Sequence, residues 1–368
     1  MADIASQQRV LKFIFSLPTF VLRLMAGRAD ERDGRVLDPR LQLMAKQGRG
    51  APPMSSLTPE QARAGAAQGF ALAASRPDPS VRFEPLVIPA PHGEIPARLY
   101  RPKVQDPSAP VMVWMHQGGD VIGDLETSHV FCTILAADCA CLVLSIDYRL
   151  APEHPFPHGL EDALAAYRWA RDNASRLGAR GAAVGGDSQG GNFAAVICQD
   201  LKRSGEPQPV LQLLVYPAVD MASETQSMST YADSFPLSAD TMRWFLGHQI
   251  PPGVDPTDLR LSPLRAPDLS GLAPAVVVTA GFDPLTDQGE AYAHRLVEAG
   301  VPTLFRCYAS LSHAFLSFGL VPAADIAARE IAGLARQAME GRLHAARGAH
   351  AGPNAGSTIG GPIPAPVS

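Results

Sequence analysis

The stretch AVGGDSQGGN (183–192) sets Ser188 between Gly186 and Gly190, where a short apolar run gives way to the helical-looking FAAVICQDLKR. A serine hydroxyl attacks well only when a base takes its proton and a third group holds that base in one tautomer. Gly186-x-Ser188-x-Gly190 fits the G-x-S-x-G pattern of a nucleophile elbow, a strand-to-helix turn whose glycines leave room for a strained serine backbone. The helix that follows would aim N–H donors at developing negative charge. Alone, the same residues also describe an ordinary tight turn, so the case needs an acid and a base. An elbow of this kind calls for the chain order serine, acid, histidine. Asp283 lies just past the apolar run of AVVVTAGFDPLTDQ, and Asp287 is a rival acid in what reads as the next helix. The histidines after Asp283 are His294, His313, His344 and His350. His294 falls inside the amphipathic GEAYAHRLVEAG, and His344 and His350 in a Gly-, Ala- and Pro-rich tail. That makes His313, in the loop LSHAF after TLFRCY, the leading candidate. Upstream, HQGGD (116–120) follows VMVWM, and its Gly-Gly turn would offer an oxyanion backbone N–H groups, each worth roughly 3–4 kcal/mol.

Positioning these residues takes a regular scaffold. VMVWM (111–115), CLVLSIDY (141–148), AAVGG (182–186), LQLLVYP (211–217) and AVVVTAG (275–281) read as strands buried on both faces. Helical stretches such as GLEDALAAYRWARDNASRLG and GNFAAVICQDLKRSG alternate with them, each closing near a glycine. That alternation predicts an α/β fold, with a mostly parallel central sheet and helices on both faces. Two regions break the rhythm. Residues 1–80 read as helices around APPMSSLTPEQAR, and residues 220–268 carry the helical DSFPLSADTMRWFLGHQIPPG; together they could form one lid. The expected organisation is thus an N-terminal helical segment (1–80), a first core half (81–219), an insertion (220–268), a second core half (269–340) and a disordered tail (341–368).

Near the N-terminus, Val10, Ile14, Leu17, Val21 and Leu24 recur at helical spacing. One amphipathic helix across residues 9–28 is expected, packed on the protein's own body or touching a membrane surface. A signal peptide fits less well, because Asp3 precedes the apolar stretch and Arg23 interrupts it. The segment also falls short of the roughly 20 apolar residues that span a bilayer. A formal charge of −5 gives no electrostatic ground for a nucleic-acid partner. Five cysteines, without C-x-x-C spacing, suit a reduced cytoplasm better than a disulfide framework or a zinc site.

Five blocks in this order, HQGGDVIGDLET, DYRLAPEHPFP, GGDSQGGN, AGFDPLTDQ and SHAFLSFG, resemble the hormone-sensitive lipase family of α/β-hydrolases, particularly its bacterial carboxylesterases. The likeness spans about residues 36–320. It implies the α/β-hydrolase fold with a helical cap made by residues 1–80 and 220–268. It also implies Ser188 as nucleophile, Asp283 as acid and His313 as base, with backbone N–H groups of Gly118, Gly119 and Gln189 as oxyanion donors. The implied reaction is hydrolysis of short- to medium-chain carboxylic esters through an acyl-enzyme, without metal or organic cofactor. A small-molecule ester is the expected partner, and by analogy with family members the edge strand TLFRCY leaves room for a homodimer. DYRLAPEHPFP reads as support, so Glu153 and His154 have no catalytic role.

Three departures stand out. The family usually has H-G-G-G and then an aromatic or apolar residue; here Gln117 replaces the first glycine and Asp120 the apolar residue. Asp120 either lines the pocket, where it would select against acidic esters, or sits solvated in its loop. Gln189 stands where alanine is common, and its side chain is expected to narrow the alcohol side. Phe235 and Trp244 are candidates for the pocket lining or for the core of the cap. The altered oxyanion turn keeps open a second reading, a ligand-binding protein on a hydrolase scaffold, and a lactone or amide substrate is a third.

Overall fold

The structure, a computed structural model, describes residues 4–343. The tail expected from residue 341, except its first three residues, and the histidines at 344 and 350 lie outside the described residues.

The chain opens with α1 (Ile4–Phe15), α2 (Thr19–Ala26), a small hairpin of β1 (Glu31–Arg32) and β2 (Arg35–Val36), α3 (Pro39–Gly48) and α4 (Pro59–Ala73). Then come β3 (Val81–Ala90), β4 (Gly93–Pro102), β5 (Val111–Met115), α5 (His129–Cys139), β6 (Leu142–Ile146), α6 (His158–Asp172) and α7 (Ala174–Leu177). The second half holds β7 (Ala182–Asp187), α8 (Gln189–Arg203), β8 (Gln212–Val215), α9 (Gln226–Thr230) and α10 (Ala239–Gln249). It closes with β9 (Ala275–Phe282), α11 (Thr286–Glu298), β10 (Thr303–Ser312) and α12 (Pro322–Met339). Eight strands form one sheet in the order β10-β9-β8-β7-β5-β6-β4-β3. From β10 to β6 every pairing is parallel, and β3 and β4 add an antiparallel ribbon at the far edge.

Successive side chains on a strand point to opposite faces, and the core divides accordingly. Val111, Val113 and Met115 pack with Leu160, Phe193 and Leu296 from α6, α8 and α11. Met112 and Trp114 pack on the other face with Phe131 of α5 and Ile331 of α12. Removing a side chain of this size from water contributes roughly 2–3 kcal/mol, so apolar runs of five residues suffice to fix a two-sided strand.

Local signals start the outer helices. Asp38 caps α3 by accepting from the Arg40 N–H. Thr58 and Gln61 form a capping box at the head of α4, with Pro59 at the first position. The single N-terminal helix expected from the apolar spacing is corrected to two. Pro18 lacks an N–H and disfavours helical backbone at Leu17, so the chain restarts at Thr19. The expected stripe is also not the buried one: Phe15, Leu22 and Ala26 face inward, while Val10 and Leu24 are exposed. Sequence periodicity also missed the β3–β4 ribbon, because its strands carry Pro85, Pro89 and Pro96 and are largely exposed along β3.

Candidate active site

Ser188 sits between β7 and α8 with φ 55° and ψ −115°, a conformation that side-chain-bearing residues rarely adopt. What permits it is close backbone approach. A Cβ on Gly186 would lie 2.3 Å from the Gly190 carbonyl carbon, and one on Gly190 would lie 2.0 Å from the Met115 carbonyl oxygen. The two glycines of the motif are therefore needed for space, as an elbow requires.

The ends of two further strands bring in the partners. His313, one residue past β10, places Nε2 2.9 Å from Ser188 Oγ. Its Nδ1 lies 2.7 Å from Asp283 Oδ2, one residue past β9. Asp283 is fully buried, and its Oδ1 accepts from the Leu285 N–H, which fixes the carboxylate plane. The rival Asp287 is committed elsewhere, accepting from the Ser227 N–H at the head of α9. His294 pairs along its own helix with Glu290.

Asp187, the residue before Ser188, is buried, and burial pushes its carboxyl up to about 7. Its Oδ2 accepts from the Tyr216 hydroxyl at 3.0 Å, and the Tyr216 ring packs 4.8 Å from the His313 ring. Sequence reasoning missed Tyr216; its only signal was the Tyr-Pro pair closing the run LQLLVYP.

The oxyanion turn follows β5. Gly118 has φ 134° and Gly119 φ 59°, and both line the cavity that opens onto Ser188. Neither N–H donates a hydrogen bond among the described residues. The Val121 and Ile122 N–H groups donate to the Gly118 carbonyl, and side chains brace this turn further. Phe245 of α10 packs so tightly on Gly119 that a Cβ there would meet its ring at 2.3 Å. Gln117 Nε2 donates to Ser317 Oγ at 2.7 Å, four residues past His313. Arg63 of α4 donates to the Val121 carbonyl (2.8 Å), to the Ala151 carbonyl (2.8 Å) and through both terminal nitrogens to Glu153. Glu153 thus clamps a helix to the turn, and the Arg63 guanidinium pulls its carboxyl down to about 2. Behind the turn, the His116 ring stacks on Tyr148 at 4.3 Å, and burial lowers the imidazole to about 4, keeping it neutral. The rest of DYRLAPEHPFP braces as well, with Arg149 in a fork on Asp162.

Both readings of Asp120 are corrected. Its side chain neither lines the cavity nor reaches solvent, being 1% exposed. It lies behind the turn against Gly159, where an added Cβ would meet its Oδ1 at 2.5 Å. Burial first, and the nearby Asp162 carboxylate second, push its pKa well above the ordinary carboxylate value. At φ 61° its backbone is in the left-handed region, which aspartate tolerates better than bulky apolar residues do.

The cavity, about 790 Å3, is walled by α4, α10, the loop before α10 and the tip of α1. Gln189 lines it, with its amide 3.4 Å from Asn192 Oδ1. Phe235 lines it as expected. Trp244 does not; it packs on Phe245 and His248, and Phe245 and Leu246 take the lining role instead.

Residues 112–317 match the alpha/beta hydrolase fold family. The carboxylic ester hydrolase LipN of Mycobacterium tuberculosis is 44% identical over 312 residues, covering 82% of this chain and 83% of its own. The chain belongs to the α/β-hydrolase family, in its hormone-sensitive-lipase-like branch. An ethyl acetate hydrolase of Pseudomonas putida is 36% identical, covering 73% of this α/β-hydrolase and 86% of its own chain. Among solved structures, an ester hydrolase from the Lake Arreo metagenome superposes with a TM-score of 0.77 at 41% identity, covering 80% of this chain and 96% of its own. A hyperthermophilic esterase of Pyrobaculum calidifontis gives 0.78 at 35%, covering 84% and 99%. No helix among the described residues of this α/β-hydrolase is long and apolar enough to cross a membrane.

Proposed function

We propose that this α/β-hydrolase is a serine carboxylesterase for short- to medium-chain esters. The carrying observation is the line from Ser188 Oγ to His313 Nε2 (2.9 Å) and from His313 Nδ1 to Asp283 (2.7 Å), at the wall of an apolar cavity. Asp283 holds the tautomer with its proton on Nδ1, so Nε2 is free to accept the serine proton. As Oγ attacks the ester carbonyl, the N–H groups of Gly118, Gly119 and Gln189 receive the oxyanion. His313 returns the proton to the departing alcohol, and the acyl group stays on Ser188. Water then gives a proton to His313 as it attacks the acyl carbon, and Ser188 leaves with that proton. The name of the Pseudomonas relative supports the short end of the chain range, and the cavity volume the longer end.

In this reading residues 1–80 and 220–268 are the cap, and 81–219 and 269–340 are the two halves of the core. Five free, buried cysteines support a reducing, cytoplasmic setting. The outer edge of β10 supports pairing with a second copy over Thr303–Tyr308; beyond that, the Asp38 N–H already occupies the Ser310 carbonyl.

The test is hydrolysis of p-nitrophenyl acetate, butyrate and octanoate by the wild type and Ser188→Ala. The mutant should lose on the order of 10^4-fold or more in kcat. A folded wild type that turns over none of these esters would favour the ligand-binding reading.

A further inference from the structure

Large apolar side chains rarely face water in a cluster unless something covers them. On α1 and α2 they do. Val10 is 60% exposed, Phe13 68%, Phe20 69% and Leu24 79%. These are consecutive helices, three residues apart, and each also buries an opposite face, through Phe15 on α1 and Leu22 and Ala26 on α2. The outward residues are therefore not loose ends of a disordered leader. They are the free side of a packed element, held by the Gln8 amide on the Ala71 carbonyl (2.7 Å) and by Arg40 on the Phe15 carbonyl (2.9 Å).

Charge indicates the occupant. Residues 4–28 carry Arg9, Lys12, Arg23 and Arg28 and no acidic residue, on a chain whose total is −5; Arg9, Lys12 and Arg28 are exposed, and Arg23 is half-buried with its Nη1 covered. Apolar side chains flanked by cations on a short helix suit the headgroup boundary of an anionic bilayer, where the apolar groups enter the acyl region and the cations meet lipid phosphates. A second copy of the same face would set like charges against each other.

Position adds the functional link. Leu11, next to Val10 on the same helix, lines the cavity that holds Ser188. Only the width of α1 thus separates the outward apolar face from the cavity. We propose that α1 and α2 dock the protein on an anionic lipid surface, and that lipophilic esters dissolved in that surface enter the cavity past α1. The docking stands on the helices alone; the delivery of esters rests on the esterase reading.

The experiment uses the full-length protein with phosphatidylcholine vesicles, with and without about one-third phosphatidylglycerol. The wild type should sediment with the anionic vesicles, weakly with the neutral ones, and less as salt is raised. Phe13→Ser/Phe20→Ser/Leu24→Ser should weaken anionic-vesicle binding by about tenfold or more while leaving hydrolysis of soluble p-nitrophenyl acetate unchanged, which also reports folding. Turnover of p-nitrophenyl octanoate partitioned into the vesicles should fall in the same variant. Equal sedimentation of variant and wild type, or no binding to anionic vesicles, overturns the docking. So does a wild-type dimer that the triple variant converts to monomers without any vesicle binding, because a second copy would then be the occupant. If the protein sediments as expected but hydrolyses no ester in any form, the docking survives and the esterase reading falls.

Discussion

Two turns sit side by side at the ends of adjacent strands on the cavity floor, and distant side chains brace one of them far more than the other. The nucleophile turn after β7 is locked by main chain against main chain, since Gly186 touches the Gly190 carbonyl and Gly190 touches that of Met115. The turn after β5 also closes on its own backbone, at Gly118, where a Cβ would lie 1.9 Å from the Ile122 carbonyl oxygen, but distant side chains brace it in addition: Phe245 on Gly119, Gln117 on Ser317, and Arg63 on Val121. A turn held by its own backbone admits few residue types at its tight points. One braced from several remote elements can change residues, as Gln117 and Asp120 do here, provided its N–H groups stay in place.

The largest expected contrast is between glycines. Gly190→Ala forces backbone apart from backbone and should cost about 3–5 kcal/mol, read as a lowered Tm together with lost activity. Gly119→Ala meets the Phe245 ring and carries the strain of a positive φ, so it should cost the fold less than Gly190→Ala while kcat falls about 10^2-fold; pairing it with Phe245→Leu should restore the part of the loss that comes from the ring. A smaller effect concerns Asp187. Its folded pKa of about 7 lies above its unfolded value near 3.8, so stability is greatest below about pH 4 and is lost as pH rises toward and through 7. The shift amounts to about 4 kcal/mol at most, and denaturant unfolding across that window should show a slope that Asp187→Asn removes. The smallest effect is expected from Asp120→Asn, which keeps the shape of a side chain buried behind the turn and away from the cavity: stability within about 1 kcal/mol and an unchanged preference between neutral and acidic esters. A changed preference would return that side chain to the pocket and overturn its placement behind the turn.

The two turns were also unequally legible. Close backbone contact leaves a dense local mark, which is why GGDSQGG, flanked by an apolar run and a helix, pointed to Ser188. The strand-end positions of Asp283 and His313 followed from periodicity and chain order. Bracing across long sequence separation leaves no such mark: Arg63 meets Glu153 from 90 residues away, and Gln117 meets Ser317 from 200. Asp120 was misread for the same reason, since its neighbour Gly159 lies outside any window that a motif covers. The N-terminal stripe failed differently. Apolar spacing finds a helix but cannot say which face is covered when both carry large side chains, and it ran through Pro18 without registering the break.

The Arg63 clamp has a kinetic consequence. One guanidinium holds both the helix that walls the cavity and the strand-end turn that, in the proposed mechanism, receives the oxyanion. Strain from a poorly fitting acyl chain against α4 is therefore not confined to binding; it reaches the turn at which the carbonyl oxygen becomes charged. Chain-length discrimination should then be read in turnover as much as in the concentration needed for saturation, because one side chain ties the pocket wall to that turn.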